Sequence, residues 1–303
     1  MADVKLDSIL QMEHLPNDDR LNSVLKNGLH KLLGPPGTQQ HDTPLWPAEH
    51  FQLERSRAFQ NATPNQQSAI ITRSSEALLE EALFIEQSGL AFGAKMSLLS
   101  ETIEERMLYG LFMGDETTHY QQVRRFLPNF GMDCRPNVFH ELLTRLIEEG
   151  DRETLVFTIQ VVLEGWGLTH YRLLANDCQD PDFEAALRSI LKDEARHHGS
   201  GVILAKKRGL PKKSRDFVIE ILHEFLTMVQ LGPQSVVSAL EGITGSMTRD
   251  QKIKTFEELD TVGHSQERLD LLRNLMQQDG FQDIVDTLDS YGLFKAKTPG
   301  ECV

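Results

Sequence analysis

Residues 183–207 read FEAALRSILKDEARHHGSGVILAKK, and within this helical pattern Glu194 and His197 stand three positions apart. On a helix that spacing puts a carboxylate and an imidazole on one face, where both can close on one metal ion. The device occurs earlier as well, at Glu116 and His119 in the stretch DETTH, residues 115–119. Thirty residues before each pair stands another glutamate in a helix-compatible stretch: Glu86 before Glu116, and Glu164 before Glu194. The set holds four carboxylates and two imidazoles.

A single Glu-x-x-His arises by chance in any Glu-rich helix, whereas the paired spacing is harder to obtain by accident. The midpoint of Glu86 and Glu116 falls beside Ser100, read as an N-cap for the acidic run that begins at Glu101. The midpoint of Glu164 and Glu194 falls inside NDCQDPD, residues 176–182, the clearest turn in the chain. Two antiparallel helical hairpins would return each pair of glutamates to one height, and two facing hairpins would gather all six groups. Apolar neighbours argue for burial: Ala82, Leu83 and Leu90 around Glu86, Phe112 and Met113 before Glu116, Val161 and Leu168 around Glu164, and Ile190 and Leu191 before Glu194. Four buried carboxylates in one core need cations, because an uncompensated buried charge costs several kcal/mol. Glu81 is the rival for the first position, but its spacing to Glu116 breaks the symmetry with the second hairpin.

At these residues the chain resembles the ferritin-like di-metal carboxylate proteins, whose four-helix bundle takes one Glu from each of two helices and a Glu-x-x-His from each of two others. DEARH, residues 193–197, is similar to the Asp-Glu-x-Arg-His signature of di-iron oxygenases, desaturases and ribonucleotide reductase small subunits. The resemblance covers roughly residues 65 to 208 and departs from the pattern at Thr118, where Arg is common. It implies an all-α fold: a ferritin-like four-helix bundle with additional helices at both ends. It further implies metal ligation by Glu86, Glu116, His119, Glu164, Glu194 and His197, with Asp115, Asp193 and Arg196 supporting the ligands. Family members use such aspartates to accept a hydrogen bond from a metal-bound histidine, fixing its tautomer.

Composition sets the outer bounds. The 303 residues can bury a full core without disulfide or metal staples. A net charge of -14 disfavours nonspecific binding to nucleic acid or anionic membranes. No basic-then-apolar leader opens the sequence and no uncharged apolar run approaches the ~18 residues of a membrane span. Cys134, Cys178 and Cys302 are far apart and form no Cys-x-x-Cys, so a reducing cytoplasmic location is expected.

Three regions are expected. Residues 1–64 hold a short helix from Leu21 to Leu33, stopped by Gly34-Pro35-Pro36-Gly37, and then an irregular strap over 34–63 anchored by Trp46 and Phe51. The bundle, residues 65–208, is expected to run from Asn65 to Leu99, Glu101 to Leu127, Arg152 to Asn176 and Asp182 to Lys207. Pro128 and Gly131 end the second helix, a crossover follows to Pro136, and a shorter helix spans Val138 to Glu149. Residues 209–303 continue as helices at 214–230, 233–242, 251–279 and 281–293. They complete the bundle, cover its end or form a homodimer surface, and a disordered tail begins at Lys295. The basic run from Lys206 to Lys213 reads first as a cationic helix end with Gly209 as cap, and second as a docking patch for an acidic carrier protein or reductase.

Carboxylates and imidazoles without thiolate suit iron or manganese. The function expected is therefore an O2-dependent di-iron oxidase or oxygenase acting on a small or carrier-tethered organic substrate, with two Fe ions (or Mn), O2 as co-substrate and an external reductase. Gly89, Gly93, Gly165 and Gly167, each within two turns of a ligand glutamate, are expected to leave a substrate cavity, with close helix packing as the competing reading. The alternative function is a ferroxidase, peroxidase or manganese-catalase-like protein handling iron or peroxide. His170 and His198 are expected beside the site or on the surface. Tyr109, Tyr120 and Tyr171 are expected in the core. Val123 occupies the position at which ribonucleotide reductase small subunits carry a radical tyrosine, so radical storage is not expected.

Overall fold

A computed structural model describes residues 9–10, 12, 14–16, 18–33, 44–127, 137–278 and 280–303. Among these residues the chain is all-α, with no strand. The Gly34–Gly37 stop, the first part of the strap, Pro128, Gly131 and the crossover to Pro136 lie outside the described residues.

Two compact units emerge. One contains Leu79–Glu149 with the N-terminal helix α1 (Arg20–Leu33); the other contains Gly150–Val303 with the described residues from 44 to Leu78. The cuts between them fall within a helix, at Leu78, and before Gly150.

The short helix α2 (Arg57–Gln60) follows two 3₁₀ turns, and Thr63 then opens α3 (Pro64–Leu99). Gln66 Oε1 accepts from the Thr63 N–H at 3.0 Å while Thr63 Oγ1 accepts from the Gln66 N–H, a reciprocal cap with proline at the first helical position. Helix α4 (Ile103–Arg124) starts two residues later than expected. Its cap is Thr102, in extended conformation and accepting from the Glu105 N–H, whereas the Ser100 hydroxyl turns back to the Met96 carbonyl and closes α3. Helix α5 (Val138–Glu149) buries Leu142, Leu143, Leu146 and Ile147 in the first unit.

In the second unit Asp151 caps α6 (Arg152–Leu155) by accepting from the Thr154 N–H. The chain does not continue as the single α-helix expected. Val156–Leu163 is a π-helical segment, and only from Glu164 does α7 (Glu164–Asp177) resume α geometry. The turn at 178–180 leads into α8 (Pro181–Arg208), capped by Asp180 with proline at its start. Gly209 at φ 67° ends α8 just after Lys206, Lys207 and Arg208, the cationic last turn that complements the helix dipole. The π segment, α7 and α8 pack on one another.

The strap lies on the α7–α8 hairpin. The Trp46 indole N–H donates to the Leu174 carbonyl at 2.9 Å, its ring meets Phe183 edge-on at 5.8 Å, and Leu45 O accepts from the Gln179 N–H. Trp46, Phe51, Leu53 and Phe59 are all buried.

Five more helices complete the second unit: α9 (Lys212–Gln230), α10 (Gln234–Thr244), α11 (Arg249–Glu258), α12 (Thr261–Met276) and α13 (Gln282–Ser290). Of these, α9 packs on α6, and α12 packs on the π segment and α7. The tail is ordered, contrary to expectation. Cys302 is buried, the Gln234 side chain donates to its carbonyl at 3.0 Å, and Arg249 donates to Gly300 O. No described helix is long and apolar enough to cross a membrane.

Candidate metal centre

The first unit assembles one half of the expected ligand set. Helix α3 brings Glu86, and α4 brings Glu116 and His119 on the same face as Tyr109, Phe112 and Val123, all buried. The Glu86 and His119 side chains are each 1% exposed. His119 Nδ1 lies 3.2 Å from Glu86 Oε2 and 3.8 Å from Glu116 Oε2. Donors bonded to one ion at about 2.0–2.2 Å sit roughly 3–4.4 Å from one another, so this spacing fits a metal ion. Glu81, the rival, is only half-buried and is not among the grouped ligand atoms.

Electrostatics show what the pocket wants. Burial pushes the Glu86 carboxyl up to about 7, with His119 pulling the other way. Burial also disfavours the His119 cation, but Glu116 and Glu86 outweigh it and push the imidazole up to about 12. A proton thus supplies the positive charge that two buried carboxylates require, and a divalent cation supplies it better.

The second unit builds the other half. Glu164 follows the last residue of the π segment, and α8 brings Glu194 and His197. His197 is fully buried, with Nδ1 3.7 Å from Glu194 Oε1, and one ligand atom each from Glu164, Glu194 and His197 lies within 4.8 Å of the others. In both halves the histidine offers Nδ1 to the glutamate three residues before it. Each half is a Glu, Glu, His set that a metal ion could occupy.

Gln160, noted in the sequence only as a polar exception among apolar neighbours, holds the second half together. It is fully buried on the π segment, and its amide donates to the His197 carbonyl at 3.1 Å and to Ser200 Oγ at 3.3 Å. The Gln160 carbonyl is 2.9 Å from His198 Nδ1; a carbonyl only accepts, so that nitrogen carries the proton. The Glu164 N–H bonds to Ile159 O, five residues back. The wider π turn leaves the Gln160 carbonyl accessible to the neighbouring helix. Gly201 permits the approach, since a Cβ there would come within 2.3 Å of the Gln160 Cβ and 3.2 Å of its backbone. His198 therefore serves as a brace beside the candidate ligand His197. Gln160, the one amide in the largely apolar run 156–163, was the available signal.

The glycines differ from the expected cavity at three positions of four. A Cβ on Gly89 would lie 2.4 Å from Glu116 Oε2, so this glycine makes room for a candidate ligand carboxylate. Gly93 makes room for Met113, and Gly165 for the His198 ring and Leu275. Only at Gly167 is the space open. Close packing, the competing reading, describes the other three.

The supporting residues fall as follows. Asp193 Oδ1 pairs with Arg196 Nη2 at 3.0 Å, one turn along α8. Asp115 precedes Glu116 on α4, and its backbone carbonyl accepts from Thr118 Oγ1. His170 stacks on Trp166, and burial with Arg268 and His50 nearby pushes it down to about 4. Tyr109 and Tyr171 are core residues and Tyr120 is half-buried. No protein-family model matches this sequence, and no curated protein matches it.

Proposed function

We propose that each of the two Glu, Glu, His sets holds one iron ion, as the resemblance to the ferritin-like di-metal proteins implies. The protein would then act as an O2-dependent oxidase or oxygenase on an organic substrate. The observation that carries this reading is the duplicated buried set. Each half presents the same three residue types, with the histidine Nδ1 turned to the glutamate one turn before it.

A pair of iron ions in such a carboxylate-rich site supplies two electrons to O2. The chain's own residues do the rest. Glu86, Glu116, Glu164 and Glu194 provide the negative charge that favours the higher oxidation state, and His119 gives up its proton when Nδ1 becomes a ligand. Leu83, Phe92, Phe112 and Met96, all buried on the helices of the first set, exclude water from that half. Val156, Phe157, Val161 and Val162, buried on the π segment, do the same for the second. Gln160 and His198 hold α8 against the π segment so that Glu164, Glu194 and His197 keep their spacing. The π segment favours a role beyond iron storage, because π turns inside helices are frequent at functional sites. The open side of Gly167 is where a substrate fits best, and an external reductase would restore the iron between turnovers.

The test is anaerobic loading with Fe(II) followed by O2. Two iron ions per chain and a single stoichiometric oxidation, restored only by added reductant, are expected. Continued uptake of excess Fe(II) into a soluble ferric core would overturn the reading in favour of a ferroxidase. A chain that binds no iron would overturn the metal site itself.

A further inference from the structure

We propose that this protein forms a two-fold dimer in which helix α1 of each chain lies on the outer face of helix α4 of the other. Leu21, Val24, Leu25 and Leu32 fall on one side of α1 and are 52–67% exposed, while Leu29 alone among its residues is buried. An isolated helix of 14 residues is marginal in water, and its stability comes from covering its apolar face. Here that face is uncovered by any described residue, although α1 touches α4 of its own chain.

A second uncovered face lies in the same unit. Ile103, Met107 and Leu111, spaced four apart along α4, are 63–65% exposed, opposite the face that holds Glu116 and His119. Gly110 and Gly114 lie on that outer side, and a Cβ on either would meet nothing within 4 Å, so the surface is low enough for another helix to approach.

Charge decides the occupant. Helix α1 carries Arg20, Lys26 and Lys31 and no carboxylate. The α4 face is bordered at its start by Glu101 and Glu104 and on its other edge by Arg106, all exposed, so two carboxylates face one guanidinium there. A cationic apolar helix therefore matches an apolar face whose rim is acidic on balance, and a two-fold axis covers both α1 faces and both α4 faces at once. An anionic lipid surface would suit α1 alone, but the carboxylates of α4 and a net charge of -14 would be repelled by it.

Sedimentation of the full-length protein should give twice the 34.3 kDa chain mass. Leu25→Glu on α1 and Met107→Glu on α4 should each yield monomers with unchanged helix content and metal binding. Mixing the two variants distinguishes this pairing from others. In the mixed dimer one α1–α4 contact has both substitutions and the other has neither, so dimer reappears. If α1 paired with α1 and α4 with α4, every contact would carry one substitution and mixing would restore nothing. Should either glutamate variant unfold, Leu25→Ser and Leu111→Ser replace it in the same scheme. A monomeric parent protein, variants that remain dimeric, or a mixture that stays monomeric would each overturn the proposal. A parent that is monomeric yet sediments with phosphatidylserine vesicles would assign α1 to a lipid surface instead. Because metal content is measured on the same samples, failure of this dimer is distinguishable from failure of the metal site.

Discussion

Replacing Gly89 by alanine separates the fold from the metal. The added methyl carbon would stand 2.4 Å from Glu116 Oε2, 2.5 Å from its Cδ and 2.9 Å from its Cγ. Ordinary contact begins near 3.4 Å, so the carboxyl has to retreat by about 1 Å (3.4 minus 2.4). That retreat is cheap for the protein, because every atom in the way belongs to the Glu116 side chain and none to the backbone. It is costly for a ligand, since coordination tolerates errors of roughly 0.2 Å in bond length. Alanine also gains about 1 kcal/mol over glycine within a helix. The metal-free Gly89→Ala protein should therefore melt at or above the parent temperature while its affinity for Mn(II) or Fe(II) falls at least tenfold. A tenfold loss is about 1.4 kcal/mol. Calorimetric titration of the metal and scanning calorimetry of the metal-free protein measure the two arms. Parent affinity in the variant would refute the placement of Glu116 as a ligand, and a large drop in the metal-free melting temperature would show that Gly89 serves packing instead.

Glu86→Gln should remove about half of the bound metal or more while Glu81→Gln leaves it unchanged, checked by elemental analysis of loaded protein; the reverse pattern would exchange their roles. Gln160→Leu keeps the volume but removes both amide hydrogen bonds to α8, so metal affinity should drop roughly 10–100-fold, as for other residues that orient ligands. If positioning is the cause, the metal spectrum of Gln160→Asn should fall between those of Gln160→Leu and the parent. The pH dependence follows from the first set. The folded-state values of Glu86 and His119 both lie above their ordinary ones, so the folded metal-free protein binds more protons than the unfolded chain. Their contribution to stability is full at low pH. For Glu86 it declines as pH rises from its ordinary range through about 7, and for His119 from about 6.5 toward 12. The stabilisation by added metal should grow over the same range, with proton release visible as a dependence of binding heat on buffer ionisation. Heat that is identical in all buffers would contradict it.

The helices that carry the buried Glu and His cluster were legible because the pattern constrains them twice. Glu86, Glu116, Glu164 and Glu194 have to be spaced for a hairpin and flanked by apolar residues for burial, and both patterns are visible in the letters. The turn over 176–182 was legible because Asp180-Pro181 sits in it, while the cap of α4 was not, because Ser100 and Thr102 stand two residues apart and tertiary geometry decides between them. The π segment was hidden because Val156–Leu163 carries only Thr158 and Gln160 among apolar residues, too few polar positions to reveal a period. The glycines were read as empty space because a missing side chain looks the same whether a substrate or a neighbouring carboxylate fills the gap. The ordered tail was missed because its last nine residues show no helical pattern, and they are held by side chains far away in sequence, Gln234 and Arg249.

The π segment also gives this chain an unequal tolerance to changes in length. A π turn holds one residue more than the α turn it replaces. Deleting one residue between Val156 and Leu163 would let the helix relax to ordinary geometry with α6 and α7 still in line, whereas adding one would stretch a turn that is already overfull. The deletion would nevertheless erase the displaced Gln160 carbonyl on which His198 leans. Length variation here is thus a dial between a plain helix that folds easily and a distorted one that keeps α8 in step, and the chain stands at the distorted setting.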